Sequence, residues 1–321
     1  MAQADRQGDW LLLETFSTPS SATVIAQGST TKAFLPLDKI IRSTTHRTVV
    51  EAAIAGIRQQ PFPRDFTQGD TRYVFLPLQD YEQHLSAILF HYGPADEPMA
   101  DPPACGAWNF DLGTGIATGS DAMHDLHRVP EEHRFRSRPI HESLSRIVGP
   151  DPSATAKLIN KQPGQTHQST ETVTSEYGSL WIASYTAGFL RSPEGSMRVQ
   201  GVTRRIGDYQ LAPSSADLSD QIVRAISKPG LFRAIVDPST GNFLRSYDPP
   251  LVGGTQDIRQ AVRDDDEADT LMKLISNCLR DNVAVTSVPM HATDGSPVTV
   301  ELFPLELEGA RAVLASFLRK R

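Results

Sequence analysis

The feature that most constrains this chain is internal repetition: a similar succession of patterns runs through its 321 residues three times, at a spacing near ~100 residues, the size of a small domain. Solenoid repeats are shorter, roughly 20 to 50 residues, so the repetition points to three tandem domains rather than a stacked array. Each passage opens with a glycine and an aromatic that leads a strand: GDWLLLETF from Gly8, GAWNFDLGTG from Gly106 and GLFRAIVDPSTG from Gly230. In the last two, Thr114-Gly115 and Thr240-Gly241 supply a tight turn into a second short strand; in the first, Ser17 to Ser21 is a looser turn.

A helical middle follows each opening. His46 to Arg58 groups Val49, Ala52, Ala53, Ile54 and Ile57 on one side, Pro139 to Val148 groups Ile140, Leu144 and Ile147, and Asp269 to Leu279 groups Leu271, Leu274, Ile275 and Cys278. Each passage closes on three strands, with glycine turns at Gln68-Gly69-Asp70, Tyr177-Gly178-Ser179 and Asp294-Gly295-Ser296. Final strands are expected at Leu85 to Tyr92, Met197 to Ile206 and Arg311 to Leu318. RYVFLPLQD and VELFPLEL place Pro77 and Pro304 within penultimate strands, where a residue without a ladder donor belongs at an edge or a bulge. Gly93 to Pro103 reads as a stiff, proline-rich connector, and Leu218 to Ile226 as a linker helix. The expected domains are 1–95, 96–215 and 216–321.

Charge narrows the function. With 38 acidic against 31 basic residues the chain carries a net charge of -7, which repels polyanions and argues against nucleic acid as a partner. Cys105 and Cys278 are too few and too far apart for a disulfide framework or a thiolate metal site. No apolar run approaches the ~18 to 20 residues of a membrane span, and Met1 to Gly8 lacks a signal-peptide core. A cytoplasmic location is expected. The final strand runs almost to Arg321, so no effector domain is expected after it.

The order strand, strand, helical segment, three antiparallel strands resembles the PAS domain, an α+β sensor module. The middle passage carries the likeness best: WNFDLGTG (Trp108 to Gly115) is similar to the W-x-x-D-x-x-T-G opening of many PAS domains, and YGSLWIASY with MRVQGVTRRI resembles their closing hairpin. IVGPD (Ile147 to Asp151) resembles their histidine-proline-aspartate turn, with Gly149 in place of the histidine. Across its whole length, from GDWLLLETF and KAFLPLDKIIR (Lys32 to Arg42) through the Trp108 segment, the chain looks like an actinobacterial triple-sensor family described as PAS-GAF-PAS. The resemblance implies three α+β PAS/GAF-like domains, each a five-stranded antiparallel sheet with helices on one face, and no output domain of their own.

In such a fold the sheet and the helical segment enclose a pocket. Alternation puts Trp108 and Phe110 on one strand face and Trp181, Ala183 and Tyr185 on another, so Trp108, Phe110, Trp181 and Tyr185, with His127, are the candidate ligand-binding residues. His124, His127, His133 and His141 form the densest polar constellation, and the i, i+3 pair His124 and His127 could offer nitrogen ligands to zinc or haem. The interleaved Arg128, Arg134, Arg136 and Arg138 read instead as a solvated face. GTGIATG (Gly113 to Gly119) lacks the lysine of a phosphate loop and reads as a hairpin turn. The glycine pair before Thr255 lacks the acidic residue and phenylalanine that diguanylate cyclases carry after theirs. Asp264 to Glu267 lacks the alternation of a calcium loop and reads as negative charge at a helix start. No nucleophile elbow or local cysteine–histidine signature is present.

The expectation is therefore a non-enzymatic cytoplasmic sensor or adaptor. A small-molecule ligand or an unidentified signalling protein would shift the relation between domains, at the proline-rich connector or the Leu218 to Ile226 helix, with a homodimer as one arrangement. An interaction scaffold without a ligand and a haem or metal sensor are the alternatives.

Overall fold

Three antiparallel sheets form in chain order. The computed structural model describes residues 9–16, 22–134, 136–148, 152–192, 195–208, 229–249 and 255–319. The first sheet comprises β1 (Leu11–Glu14), β2 (Thr23–Gln27), β3 (Thr30–Pro36), β4 (Arg64–Gln68), β5 (Thr71–Gln79) and β6 (Leu85–Pro94), with α1 (Leu37–Ile40) and α2 (Thr44–Gln59) between β3 and β4. The second comprises β7 (Cys105–Asp111), β8 (Ile116–Gly119), β9 (Ser137–Pro139), β10 (Ile147–Val148), β11 (Thr166–Thr174), β12 (Leu180–Arg191) and β13 (Met197–Asp208). Its helices are α3 (Asp121–Leu126), α4 (Ile140–Leu144) and α5 (Pro152–Asn160). The third comprises β14 (Leu231–Val236), β15 (Phe243–Ser246), β16 (Val285–His291), β17 (Pro297–Leu307) and β18 (Ala310–Arg319), with α6 (Ile258–Ala261) and α7 (Asp265–Asp281).

The strand orders are β3-β2-β1-β6-β5-β4, β10-β11-β12-β13-β7-β8-β9 and β15-β14-β18-β17-β16. A common five-strand core lies in all three: the second strand, the first, then the last three in reverse. The expected five strands per sheet hold only for the third; the first has six and the second seven. Their added strands sit at sheet edges. β3 extends a hairpin turned at Gly28, whose φ of +51° favours glycine. β9 ends at Pro139, the start of the one helix expected over Pro139 to Val148, and β10 takes the last two residues of that stretch. There Pro139 stands before the helix, α4 ends at Leu144, and β-branched Ile147 and Val148 pair with Val173 and Thr172.

Both prolines obey the edge rule. Pro77 pairs with Ile88 of β6, but the outer neighbour β4 reaches only to Phe75. Pro304 pairs with Val313 of β18, while β16 stops opposite Leu302. Each proline thus lacks an N–H where no outer strand asks for one. Gly69, Gly178 and Gly295 turn their hairpins at positive φ, as their positions suggested. The Ser17 to Ser21 turn, Gly149 to Asp151, the Leu218 to Ile226 helix and the boundary near 215 lie outside the described residues.

α2 buries Val50, Ala53, Ile54 and Ile57 against Leu11, Leu13, Phe75 and Phe90; the stripe includes Val50 and leaves Ala52 exposed. α7 buries Ala268, Leu271, Ile275 and Cys278 on the third sheet. Asp264 caps it, accepting from the Glu267 N–H at 3.0 Å, which is the helix-start role expected of the acidic run. The other face of the first sheet is covered by the second sheet: Trp10, Leu12, Val74 and Leu89 pack with Cys105 and Val202. Polar ties cross the same junction. Arg204 donates to Gly28 O at 2.7 Å and Thr31 Oγ1 at 3.0 Å, and Thr118 donates to Asp80 Oδ2 at 3.0 Å. The proline-rich connector is largely exposed but tied near its middle, where Trp10 Nε1 donates to Ala100 O at 2.8 Å and Met99 packs on the shared core.

The second and third sheets meet through helices. α4 packs on β15, and α5 on β17 and β18. Buried His141 reaches Ser246 Oγ at 3.0 Å and Thr255 O at 2.7 Å, and Asn242 Nδ2 donates to Leu112 O at 3.0 Å. Lys161 pairs with Asp237 and donates to Ser239 Oγ at 2.7 Å. Among the described residues no helix is long and apolar enough to cross a membrane.

Candidate functional site

The helices of the second unit arch over its sheet and leave a cavity of about 120 Å³. One water needs roughly 10–15 Å³ of such space, so this void has room for a small organic molecule. Its floor is apolar. Trp108 and Phe110 on β7 lie with ring centroids 4.6 Å apart, and Tyr185 on β12 meets Trp108 edge-on at 6.5 Å. Ala187, Phe189 and Val199 extend the same surface. The indole is fixed at both ends: Nε1 donates to Thr203 Oγ1 at 3.0 Å, and the six-membered ring lies on Gly201, where any Cβ would come within 2.3 Å of Cζ2. Only glycine lets the ring lie there.

α3 forms one wall. Ser120 caps it, accepting from Met123 N–H at 3.2 Å, and the same hydroxyl accepts from Ala107 N–H at 3.1 Å, which binds the helix start to β7. Gly106 lets the two backbones touch, since a Cβ there would lie 2.6 Å from Met123 Cα. The helix thereby holds Met123, His124 and His127 against the cavity. α5 supplies the lid with Ala154, Thr155 and Leu158.

Cations gather around the remainder. Arg138 on β9, Arg136 and Arg146 line the cavity from the second unit, and Arg245 on β15 reaches in from the third, only 8% exposed. Burial, with the like charge of Arg146, lowers Arg138 to about 10. His127 is 4% exposed and its Nδ1 has no hydrogen-bond partner among the described residues. Burial first, then Arg146 and Arg138, push its imidazole down to about 3. Burial likewise raises the Tyr185 hydroxyl, and Cys105 is pushed up to about 12, an inert thiol.

The state of His127 has a consequence for stability. An unfolded imidazole takes a proton near 6.5, whereas the folded one waits until about 3, so below 6.5 the unfolded chain binds more protons and stability falls as pH falls. The slope approaches about 1.4 kcal/mol per pH unit, or about 2 kcal/mol between pH 6.5 and 5. Burial lowers His124 and His141 in the same direction. We expect urea midpoints of the second unit, read by tryptophan fluorescence, to drop on going from pH 7 to 5, and His127→Phe to reduce that drop.

Four of the five residues singled out from sequence, Trp108, Phe110, His127 and Tyr185, line the cavity. Trp181 does not. It shares a strand face with Tyr185 but lies four residues along β12, where Leu126, Val173 and Ala183 enclose it, with His127 edge-on at 5.4 Å and the Arg205 guanidinium 5.5 Å from its ring. The four clustered histidines disperse: His124 and His127 reach the cavity, His133 is exposed, and His141 is engaged with the third unit. Among the described residues, the group close enough to share a metal is Asp80, Glu82 and His84, outside that cluster. There Asp80 already accepts from Thr118 and His84, and the Arg198 guanidinium adjoins His84. The arginine-rich stretch is only partly a solvated face, for Arg134 pairs with Asp125 at the surface while Arg138 turns inward. GTGIATG is a hairpin, with Asp111 Oδ1 accepting from Gly113 N–H at 2.8 Å. Sequence alone marks neither Arg146 nor Arg245 and reads Arg138 as solvated; a lone arginine between Phe243, Leu244 and Ser246 is the visible signal for Arg245.

Residues 9–103 match the family model described as Rv3651-like, N-terminal, a span that contains DWLLLETF and KAFLPLDKIIR. A crystal structure of an uncharacterized protein from Mycobacterium tuberculosis has the same fold over almost the full length: TM-score 0.78 and 22% identity, covering 98% of this chain and 97% of that one. A sensory box histidine kinase/response regulator from Burkholderia thailandensis E264 superposes loosely, at TM-score 0.26 and 12% identity over 38% of this chain and 87% of that one. An RNA-binding light-oxygen-voltage receptor does so at 0.28 and 11%, over 67% and 95%. Superpositions at that level carry no functional argument. No curated protein sequence matches the chain.

Proposed function

We propose that the chain is a non-enzymatic sensor or adaptor of three tandem PAS/GAF-like domains, working in the cytoplasm. A small molecule held in the cavity of the second unit biases how the third unit docks, and a separate signalling protein reads the change. The observation that carries this reading is that the cavity is not closed by one unit alone: Arg245 of the third sheet completes its wall, and the α5 lid lies between the cavity and β17 and β18. A ligand shifts an equilibrium only through different affinity for two arrangements, and a wall shared by two units supplies that difference. The first and second units meet sheet on sheet, whereas the second and third meet through α4 and α5, the helices that border the cavity.

Native mass spectrometry on full-length protein purified without added ligand tests the reading, with Ala187→Phe purified in parallel to fill the cavity floor. Wild type is expected to carry an extra non-covalent mass that the variant lacks. Bare chain masses for both would favour an interaction scaffold, and an extra mass with visible absorbance that survives in the variant would favour a haem or metal site elsewhere.

A further inference from the structure

Four arginines line the cavity against a single lining carboxylate, Glu171, in a chain whose net charge is -7. Adding Glu176, which pairs with Arg146 at the rim, and Glu142, whose charge acts on Arg138, still leaves cations in excess. Charge of one sign around a low-dielectric hollow focuses potential on whatever enters it. Guanidinium is also the side chain whose fork matches a carboxylate in two parallel hydrogen bonds. The same cavity is lined by Trp108, Phe110 and Tyr185, which offer nothing to an inorganic ion and much to an apolar ring or short chain. We propose that the cavity takes a small amphipathic carboxylate, its apolar body on the aromatic floor and its carboxylate between Arg138 of the second unit and Arg245 of the third. This rests on the cavity's being a ligand site and specifies what the ligand is. It also gives the docking a physical handle, because the anion bridges a cation of each unit and is bound more tightly when the units are apposed.

The test is calorimetric titration of the full-length protein with benzoate, its neutral isostere benzamide, and inorganic phosphate. Benzoate is expected to bind at least tenfold more tightly than either of the others. Arg138→Gln and Arg245→Gln should each weaken benzoate tenfold or more and leave benzamide unchanged, and Ala187→Phe should abolish both. Equal binding of benzoate and benzamide would overturn the assigned charge while leaving the cavity a ligand site. Phosphate binding as tightly as benzoate would overturn the role of the aromatic floor. No binding of benzoate overturns the inference outright, and the extra native mass then judges the ligand site separately. The comparison of benzoate with benzamide on wild type needs no variant, so it holds even if Arg245→Gln disturbs folding.

Discussion

Asp248→Ala should destabilise the third unit by about 3–5 kcal/mol, the cost of removing one partner from a buried ion pair. Arg233 Nε and Nη2 meet Asp248 Oδ2 and Oδ1 at 2.7 and 2.9 Å, with side chains only 7% and 2% exposed. The pair clips the chain after β15 back onto β14, beside the Tyr247 N–H that donates to Arg233 O at 2.9 Å. It therefore holds the strand that carries Arg245. The three tryptophans, at 10, 108 and 181, all lie outside the third unit, which makes the effect separable. In urea the loss of far-ultraviolet circular dichroism should begin at lower concentration while the tryptophan fluorescence transition stays nearly in place. A multidomain chain need not unfold in one step, and a single coincident transition at the wild-type midpoint would refute the prediction. Asp248→Asn, which keeps some hydrogen bonding, should cost less.

Gly106→Val should act on another wall of the same cavity. A Cβ at 106 would lie 2.6 Å from Met123 Cα and 2.7 Å from its nitrogen, both backbone atoms that cannot rotate away. α3 is pinned there by Ser120 N–H to Ala107 O at 2.9 Å as well as by the Ser120 hydroxyl. The helix must lift or lose its cap, and overpacking of this kind costs about 1–3 kcal/mol, to which the lost cap adds about 1 kcal/mol. The wall formed by Met123, His124 and His127 moves with it. Here the tryptophan transition should shift, because Trp181 packs on His127. Benzoate binding should weaken in the same variant, and Gly106→Ala should be intermediate in both. Wild-type stability in Gly106→Val would show that α3 is free to slide, against the fixed wall described above.

Much of the architecture was written in local signals. Glycine-led strands, amphipathic helices and glycine turns recur because each five-strand core needs the same pieces. Pro77 and Pro304 fell where the outer neighbour runs out, as a missing N–H demands. The extra edge strands left no such mark: β9 and β10 are three and two residues long, too short for any periodicity to register, and they depend on neighbours distant in sequence. The cavity divided in the same way. Alternation fixed the face on which Trp108, Phe110 and Tyr185 sit, but said nothing of where along β12 the helices would leave a space, and Trp181 falls under the end of α3. Arg138, Arg146 and Arg245 come from three separate segments and two units, so only the folded chain reveals their convergence. Sequence context marks Arg138 as solvated, like its neighbours; the strand pairing of Ser137–Pro139 with β8 turns it inward.

The central claim is that the third unit feels what occupies the cavity of the second. Hydrogen exchange on wild type and Ala187→Phe tests it without knowledge of the natural ligand, the added ring standing in for an occupant. The account predicts altered protection in α4 and α5 and, across the junction, in β15 and β18 of the third unit, with α2 and the first sheet unchanged. A change confined to the floor strands β7, β12 and β13, with β15 and β18 exchanging as in wild type, would contradict it.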